Sequence, residues 1–285
     1  MTVLVFGSSG QVATELARLA PDAICLGRDS VDLEDPESAA AAIKDHAPVV
    51  VINAAAFTAV DRAESEEALA TRINADAPGA MARACAAANI PLVHISTDYV
   101  FDGSGTAPFA PDAATGPLGA YGRSKLAGER AIRDSGATHA ILRTAWVFSA
   151  HGGNFLKTML RLSETRDALS IVDDQIGGPT PAGDIASACL TIAAHLREDP
   201  ACGGTYHFTG APDVSWKDFA EAIFDAAGRD VTVTGIPTAE YPTPAARPLN
   251  SRLDCRSTQA VFGIARPDWR AALPHILDEL GVSTT

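Results

Sequence analysis

Thr2-Val3-Leu4-Val5-Phe6-Gly7-Ser8-Ser9-Gly10-Gln11-Val12-Ala13 decides the fold. Its first five residues are a short, unbroken apolar run rich in β-branched side chains, the pattern of a strand buried on both faces of a parallel sheet. Gly7 ends the run. The small residues after it, Gly7, Gly10 and Ala13, recur every third position, which lets the backbone turn tightly and approach a pyrophosphate at the N-terminus of a helix from Gln11 to Leu19. The spacing is G-x-x-G-x-x-A rather than G-x-G-x-x-G, and a plain strand-to-helix turn uses the same residues. The strand before it and the helix after it favour a dinucleotide cofactor.

Outward from this unit the pattern repeats. Ala23 to Leu26, Val49 to Ile52, Leu92 to Ile95 and Thr138 to Leu142 read as further strands, separated by alanine-rich helical stretches including one long helix from Ser65 to Ala88. That alternation predicts an α/β fold, a Rossmann-type doubly wound parallel sheet. After Leu142 it breaks into Gly-, Asn- and Pro-rich connections, so a smaller, irregular C-terminal substrate-binding region is expected. The expected division is a cofactor domain over residues 1–147, with segments near 182–208 returning to it, and a mainly substrate-binding region over 148–285.

Composition narrows the function. The net charge of −13, from 22 basic and 35 acidic residues, argues against a nucleic-acid binder, and no Lys/Arg cluster exists to meet phosphates along a duplex. Apolar runs are too short to span a bilayer, no leader precedes the first strand, and five scattered cysteines without paired spacing fit reduced thiols. A cytoplasmic protein is expected.

Ligands of open α/β sheets sit at the carboxyl ends of the strands, so the residues there matter most. Arg28 follows the second strand and can meet a ribose phosphate, which tilts the cofactor towards NADPH, with NADH still open beside Asp29. Asp32 can accept from an adenine amino group, or the local polarity serves a helix cap at Asp35-Pro36. Asn53-Ala54-Ala55-Ala56 lets a flat ligand lie against the backbone. Ser96-Thr97-Asp98 ends the fourth strand at the same edge. Tyr121 and Lys125, four residues apart on a helix, project from one face, where the ammonium can favour an ionised phenol. The loop from Asp102 to Gly119 is long enough to cover a site.

Together the glycine loop, Asn53 to Ala56, Ser96 to Phe101, and Pro117-Leu118-x-x-Tyr121-Gly122-x-x-Lys125-x-x-x-Glu129 resemble the extended short-chain dehydrogenase/reductases. Arg143 to Phe148, Asn154-Phe155, Asp174 to Thr180 and Tyr241 to Ser251 are similar, more narrowly, to the dTDP-4-dehydrorhamnose reductase family, over nearly the whole chain. The resemblance implies reduction of a C4 ketone on a dTDP-sugar, with Tyr121 as acid, Lys125 as its cationic partner and Thr97 orienting the carbonyl. It implies that Gly7, Gly10, Gln11, Val12, Asp32, Leu33, Ala55, Ala56, Phe57 and Thr58 line the cofactor, with Tyr121 and Lys125 reaching it. Thr97, Asp98 and Trp146 then face the sugar nucleotide, and Arg247 meets its diphosphate or else forms a surface ion pair.

Some members of that family hold magnesium between subunits through acidic side chains. Glu15 falls at one such position, but Gly183 occupies another with Asp184 beside it, so no metal site is expected here, and monomer and homodimer stay equally open. Two other roles share these motifs. One is a non-catalytic regulatory subunit resembling the β subunit of methionine adenosyltransferase, and the other a sugar-nucleotide epimerase or dehydratase, which recycles its cofactor.

Overall fold

A computed structural model describes residues 2–282. The first half alternates regularly through β1 (Val3–Phe6), α1 (Gln11–Leu19), β2 (Ile24–Leu26), α2 (Pro36–His46) and β3 (Val50–Asn53). Short helices α3 (Val60–Ala63) and α4 (Glu67–Thr71) lead to α5 (Ala77–Ala88), β4 (Leu92–Thr97), α6 (Ala120–Asp134) and β5 (His139–Thr144). The second half contains β6 (Val147–Phe148), α7 (Phe155–Ser163), β7 (Ala168–Val172), β8 (Ile176–Gly177), β9 (Thr180–Pro181), α8 (Ala182–Glu198) and β10 (Gly204–His207). After these come β11 (Val214–Ser215), α9 (Trp216–Ala226), β12 (Thr232–Ile236), β13 (Asn250–Ser251), α10 (Arg256–Phe262) and α11 (Trp269–Glu279).

The main sheet has the order β10-β5-β4-β3-β1-β2 and is parallel throughout. Alternate strand residues face opposite layers. Leu4 and Phe6 pack with Ile43, Met81, Cys85 and Ile132 under α2, α5 and α6, whereas Val5 packs with Leu16, Ile185, Ile192 and Leu196 under α1 and α8. Both faces are therefore covered, as a parallel sheet requires. The chain steps from β1 to β2 on one side and crosses to β3 on the other, which opens a crevice where the loops after β1 and β3 diverge.

A separate apolar cluster of Phe148, Leu156, Phe219, Ile223, Trp269 and Leu277 lies beneath α7, α9 and α11, beside the small sheets β11-β8-β13 and β12-β7. Among the described residues all five cysteines are free, and no helix is long and apolar enough to cross a membrane.

The expected single helix over 65–88 is in fact broken. Between α4 and α5 the residues Arg72–Asp76 form a π turn, closed by the Ala77 amide donating to Arg72 O. Pro78 explains it: with no N–H, it cannot bond the carbonyl four residues back, at Asn74. That carbonyl packs instead against Gly128 of α6, where an added Cβ would lie 2.0 Å from Asn74 O. The break carries Asn74 inward, and π turns of this kind recur at functional sites.

Candidate active site

The phosphate loop is shaped by its small residues. Gly7 has φ of +117°, a conformation that L side chains rarely adopt, and a Cβ there would lie 3.2 Å from Ala13 Cβ. Gly10 caps α1 with no side-chain hydrogen bond and no acid in the first turn, and no atom lies within 4 Å of where its Cβ would be. Gly10 thus leaves room at the start of α1, where the positive end of the helix dipole lies, a turn that fits a pyrophosphate. Gln11 and Val12 offer it only backbone. The Gln11 side chain binds Val147 O, Ser149 Oγ and Asn154 Nδ2, tying α1 to the segment after β6, and Val12 is buried in the core.

Arg28 lies exposed just past β2 and has no partner among the described residues. It is next to the glycine loop, because a Cβ on Gly27 would meet Ser8 Oγ at 2.2 Å. Asp32 is exposed and accepts the Glu34 amide at 2.9 Å, while Asp35, with Pro36 behind it, caps α2. Leu33 is half-buried against the sheet. Ala55 and Ala56 lie half-buried at the end of β3, and Thr58 is exposed. Phe57 is pinned by Asn74, whose side chain binds both the amide and the carbonyl of Phe57 (2.8 and 3.0 Å) and also Ser124 Oγ (3.0 Å).

Thr97, Asp98 and Tyr121 meet at the carboxyl end of β4. Thr97 Oγ1 donates to Asp98 Oδ1 at 3.0 Å and accepts the Tyr99 amide. Burial raises the Tyr121 phenol to about 12, with a hydrogen bond to Thr97 working against it. Its ring packs edge-on to Tyr99, with centroids 5.5 Å apart. Burial also lifts the Asp98 carboxyl to about 6, opposed by hydrogen bonds from Ser251 and Thr97. Its Oδ2 is buried with no hydrogen-bond partner. Such an oxygen suits a ligand hydroxyl.

Helix α6 has no local side-chain cap; the Glu64 carboxylate supplies one by accepting the Ala120 amide at 2.8 Å. Its register is fixed by Gly122, whose Cβ would sit 2.2 Å from Tyr99 O, and by buried Glu129, which binds Arg143 and accepts from Ser96 Oγ. Burial alone would raise the Glu129 carboxyl, but Arg143, Ser96 and Arg133 hold it below the usual range.

Lys125 is held by strand β4. Its Nζ donates to Ile95 O at 2.7 Å and lies 3.1 Å from His94 Nε2. Burial lowers it to about 8, with Glu129 acting in the opposite direction.

Trp146 adopts φ of +51°, rare for a bulky residue, and stacks on Trp216 with centroids 3.5 Å apart and planes 9° from parallel. Trp216 is fixed in turn by Gln175 Oε1 at 3.1 Å. Arg247 is engaged with Asp61 (2.8 Å), whose other oxygen accepts the Ala245 amide, so the ion pair fastens the Pro-rich segment to α3. Asn74, His94 and Trp216 are not among the sequence's site candidates, and Tyr99 enters there only as part of the motif Ser96 to Phe101. Of the first three, only His94 left a signal, a polar residue in a strand buried on both faces; nothing in the sequence around Asn74 marks it.

The magnesium position is a different set. Glu15, His151 and Glu279 bring one ligand atom each within 4.8 Å of one another, and Glu15 Oε2 already pairs with Arg18. Position 183 faces Glu15, since a Cβ there would lie 3.5 Å from Glu15 Oε2, but glycine offers no ligand. Two carboxylates and an imidazole do not match the oxygen shell that magnesium demands.

Comparison with known proteins agrees with this layout. The family described as RmlD substrate binding domain matches residues 1–282. A dTDP-4-dehydrorhamnose reductase of Sinorhizobium fredii is 44% identical over 286 residues, covering 97% of each chain. That of Salmonella typhimurium is 40% identical over 298 residues, with both chains fully covered. Among solved structures, the dTDP-4-dehydrorhamnose reductase of Bacillus anthracis, in complex with NADP, superposes with a TM-score of 0.90 at 32% identity, covering 98% of this chain and 99% of the other. With end-to-end similarity of sequence and fold, the chain belongs to the dTDP-4-dehydrorhamnose reductase family.

Proposed function

We propose that this protein reduces the C4 ketone of dTDP-4-dehydro-β-L-rhamnose, using NADPH, to give dTDP-β-L-rhamnose. The observation that carries the reading is the placing of Tyr121 and Thr97 at the sheet edge that also bears the glycine loop and the N-terminus of α1, in a chain whose relatives carry that name. The bound dihydronicotinamide supplies the hydride. As it reaches C4, negative charge grows on the ketone oxygen, and Tyr121 donates its phenolic proton there. Thr97, its hydroxyl turning from Asp98 Oδ1, donates to the ketone oxygen and orients it. Lys125, as the ammonium, provides the positive charge in the same buried layer that makes loss of the phenolic proton less costly.

The binding roles follow position. Gly7, Gly10, Gln11 and Val12 hold the pyrophosphate through the loop and the amides of α1, and Arg28 takes the ribose phosphate. Asp32, Leu33, Ala55, Ala56, Phe57 and Thr58 line the rest of the cofactor. Asp98 offers its partnerless oxygen to a sugar hydroxyl, Trp146 gives the sugar an apolar wall, and Arg247 turns from Asp61 to the diphosphate. Residues 1–147 with 182–208 thereby serve mainly the cofactor, and most of 148–285 the sugar nucleotide.

The test is loss of dihydronicotinamide absorbance when the protein meets NADPH and dTDP-4-dehydro-6-deoxyglucose, with and without the matching 3,5-epimerase. Oxidation that needs the epimerase identifies the L-configured ketone. Tyr121→Phe should abolish it while leaving NADPH binding intact. Oxidation without the epimerase would change the substrate, and none in either mixture would favour a non-catalytic binding role.

A further inference from the structure

His94 is fully buried in β4, and both of its ring nitrogens are engaged. Nδ1 lies 3.0 Å from Asn53 Nδ2, and Nε2 lies 3.1 Å from Lys125 Nζ. The Asn53 amide is held in this orientation by the Ala55 N–H, which donates to its Oδ1 at 3.1 Å. Its Nδ2, which can only donate, therefore faces Nδ1, so Nδ1 is the acceptor of the ring and the proton of the neutral imidazole sits on Nε2. That proton points at Lys125. A free amine can accept it; an ammonium, with three protons and no lone pair, cannot.

We infer that Asn53, His94 and Lys125 form a proton switch, in which Lys125 takes up its charge only as His94 moves its proton from Nε2 to Nδ1 and Asn53 turns its oxygen towards the ring. In the charged state Nε2 accepts from the ammonium, Nδ1–H donates to Asn53 Oδ1, and the Ala55 amide loses its partner. One proton enters from solvent, to Lys125, and the imidazole is neutral in both states. Its own protonation is opposed by burial and then by Lys125 and His139. Ile95 O accepts from Lys125 in either state. Glu129, one turn along α6, favours the ammonium, although its carboxylate is largely committed to Arg143 and Arg133. His94 is thus a positioning residue that couples the charge of Lys125 to the strand end at Ala55. The geometry stands without any catalytic assignment; its importance for turnover rests on the reductase reading above.

The test needs neither cofactor nor substrate. A two-bond 15N–1H spectrum of histidine-labelled protein distinguishes the two neutral tautomers, with the His94 signal assigned by its absence in His94→Gln or, should that variant not fold, by its change in Lys125→Met. Lowering the pH should convert the signal from the Nε2–H to the Nδ1–H tautomer without producing imidazolium, and the Ala55 amide should shift with the same midpoint. In Asn53→Ala, which removes the ring's partner from both states but the Ala55 bond only from the uncharged one, the midpoint should rise by roughly 0.5–1 pH unit, the equivalent of one ordinary hydrogen bond. A single tautomer across the titration, or a switch that survives Lys125→Met, would overturn the inference. Ketone reduction without the switch would remove only this inference, and the switch without reduction only the proposed function.

Discussion

Asp98→Asn should gain stability relative to the wild type as pH rises from acid to neutral, and should be a poorer enzyme. Asp98 is 3% exposed, and one of its oxygens has no partner. Burial raises its carboxyl from 3.8 to about 6, with Ser251 and Thr97 opposing the rise. An acid with a raised folded-state pKa holds its proton more tightly when folded, so its stabilising contribution is complete below the unfolded value and is lost as pH climbs through the folded one. Two units at about 1.4 kcal/mol each make that loss roughly 3 kcal/mol, most of it between pH 4 and 6. Asparagine has no such dependence. Its amide also lacks a partner, at a cost of about 1–3 kcal/mol, but that offset is constant with pH.

Urea denaturation of both proteins from below pH 4 to pH 7.5 separates these effects. The stability difference should move by roughly 3 kcal/mol in favour of the variant across that range. Parallel stability curves would refute the reasoning, because they would mean that the carboxylate is not destabilised by the fold. Catalysis should move the other way. Losing a charge-assisted bond to the substrate, about 1.5–3 kcal/mol, should lower kcat/KM by roughly 10- to 100-fold.

Glu129→Gln leaves the Arg143 guanidinium buried without its carboxylate, and a loss of about 3–5 kcal/mol is expected in urea denaturation at pH 7. Because the Glu129 carboxyl is held below its usual range, the advantage of the wild type should be complete above the unfolded pKa and shrink as pH falls through the folded one. Gly122→Ala drives a methyl group into Tyr99 O and Pro117, which should cost about 1–3 kcal/mol and lower kcat while NADPH binding, measured by titration, is unchanged. Arg28→Ala should reduce the preference for NADPH over NADH by roughly 10- to 100-fold in kcat/KM, and an unchanged ratio would remove Arg28 from cofactor choice.

The strand-to-helix unit at Thr2–Ala13, the alternation after it and the Tyr121/Lys125 spacing were legible in sequence because each is local: burial on both faces writes a continuous apolar run, and a helix places its fourth residue on the same face. Residue types at strand ends gave the reductase resemblance for the same reason. The rest depends on approaches between segments far apart in the chain. Pro78 is visible in sequence, but whether its missing N–H kinks, breaks or merely bends a helix was settled by Gly128 packing against the freed Asn74 carbonyl. Likewise, a lysine four residues after a tyrosine fixes only which face it leaves. Its partners, Ile95 O and His94, come from a strand about 30 positions earlier. Sequence by itself determined the layers, the edge at which ligands gather and the residue types present there. Tertiary packing alone decided which donors meet which acceptors, because buried hydrogen bonds are satisfied by atoms brought within about 3 Å in space, with no regard to their separation along the chain.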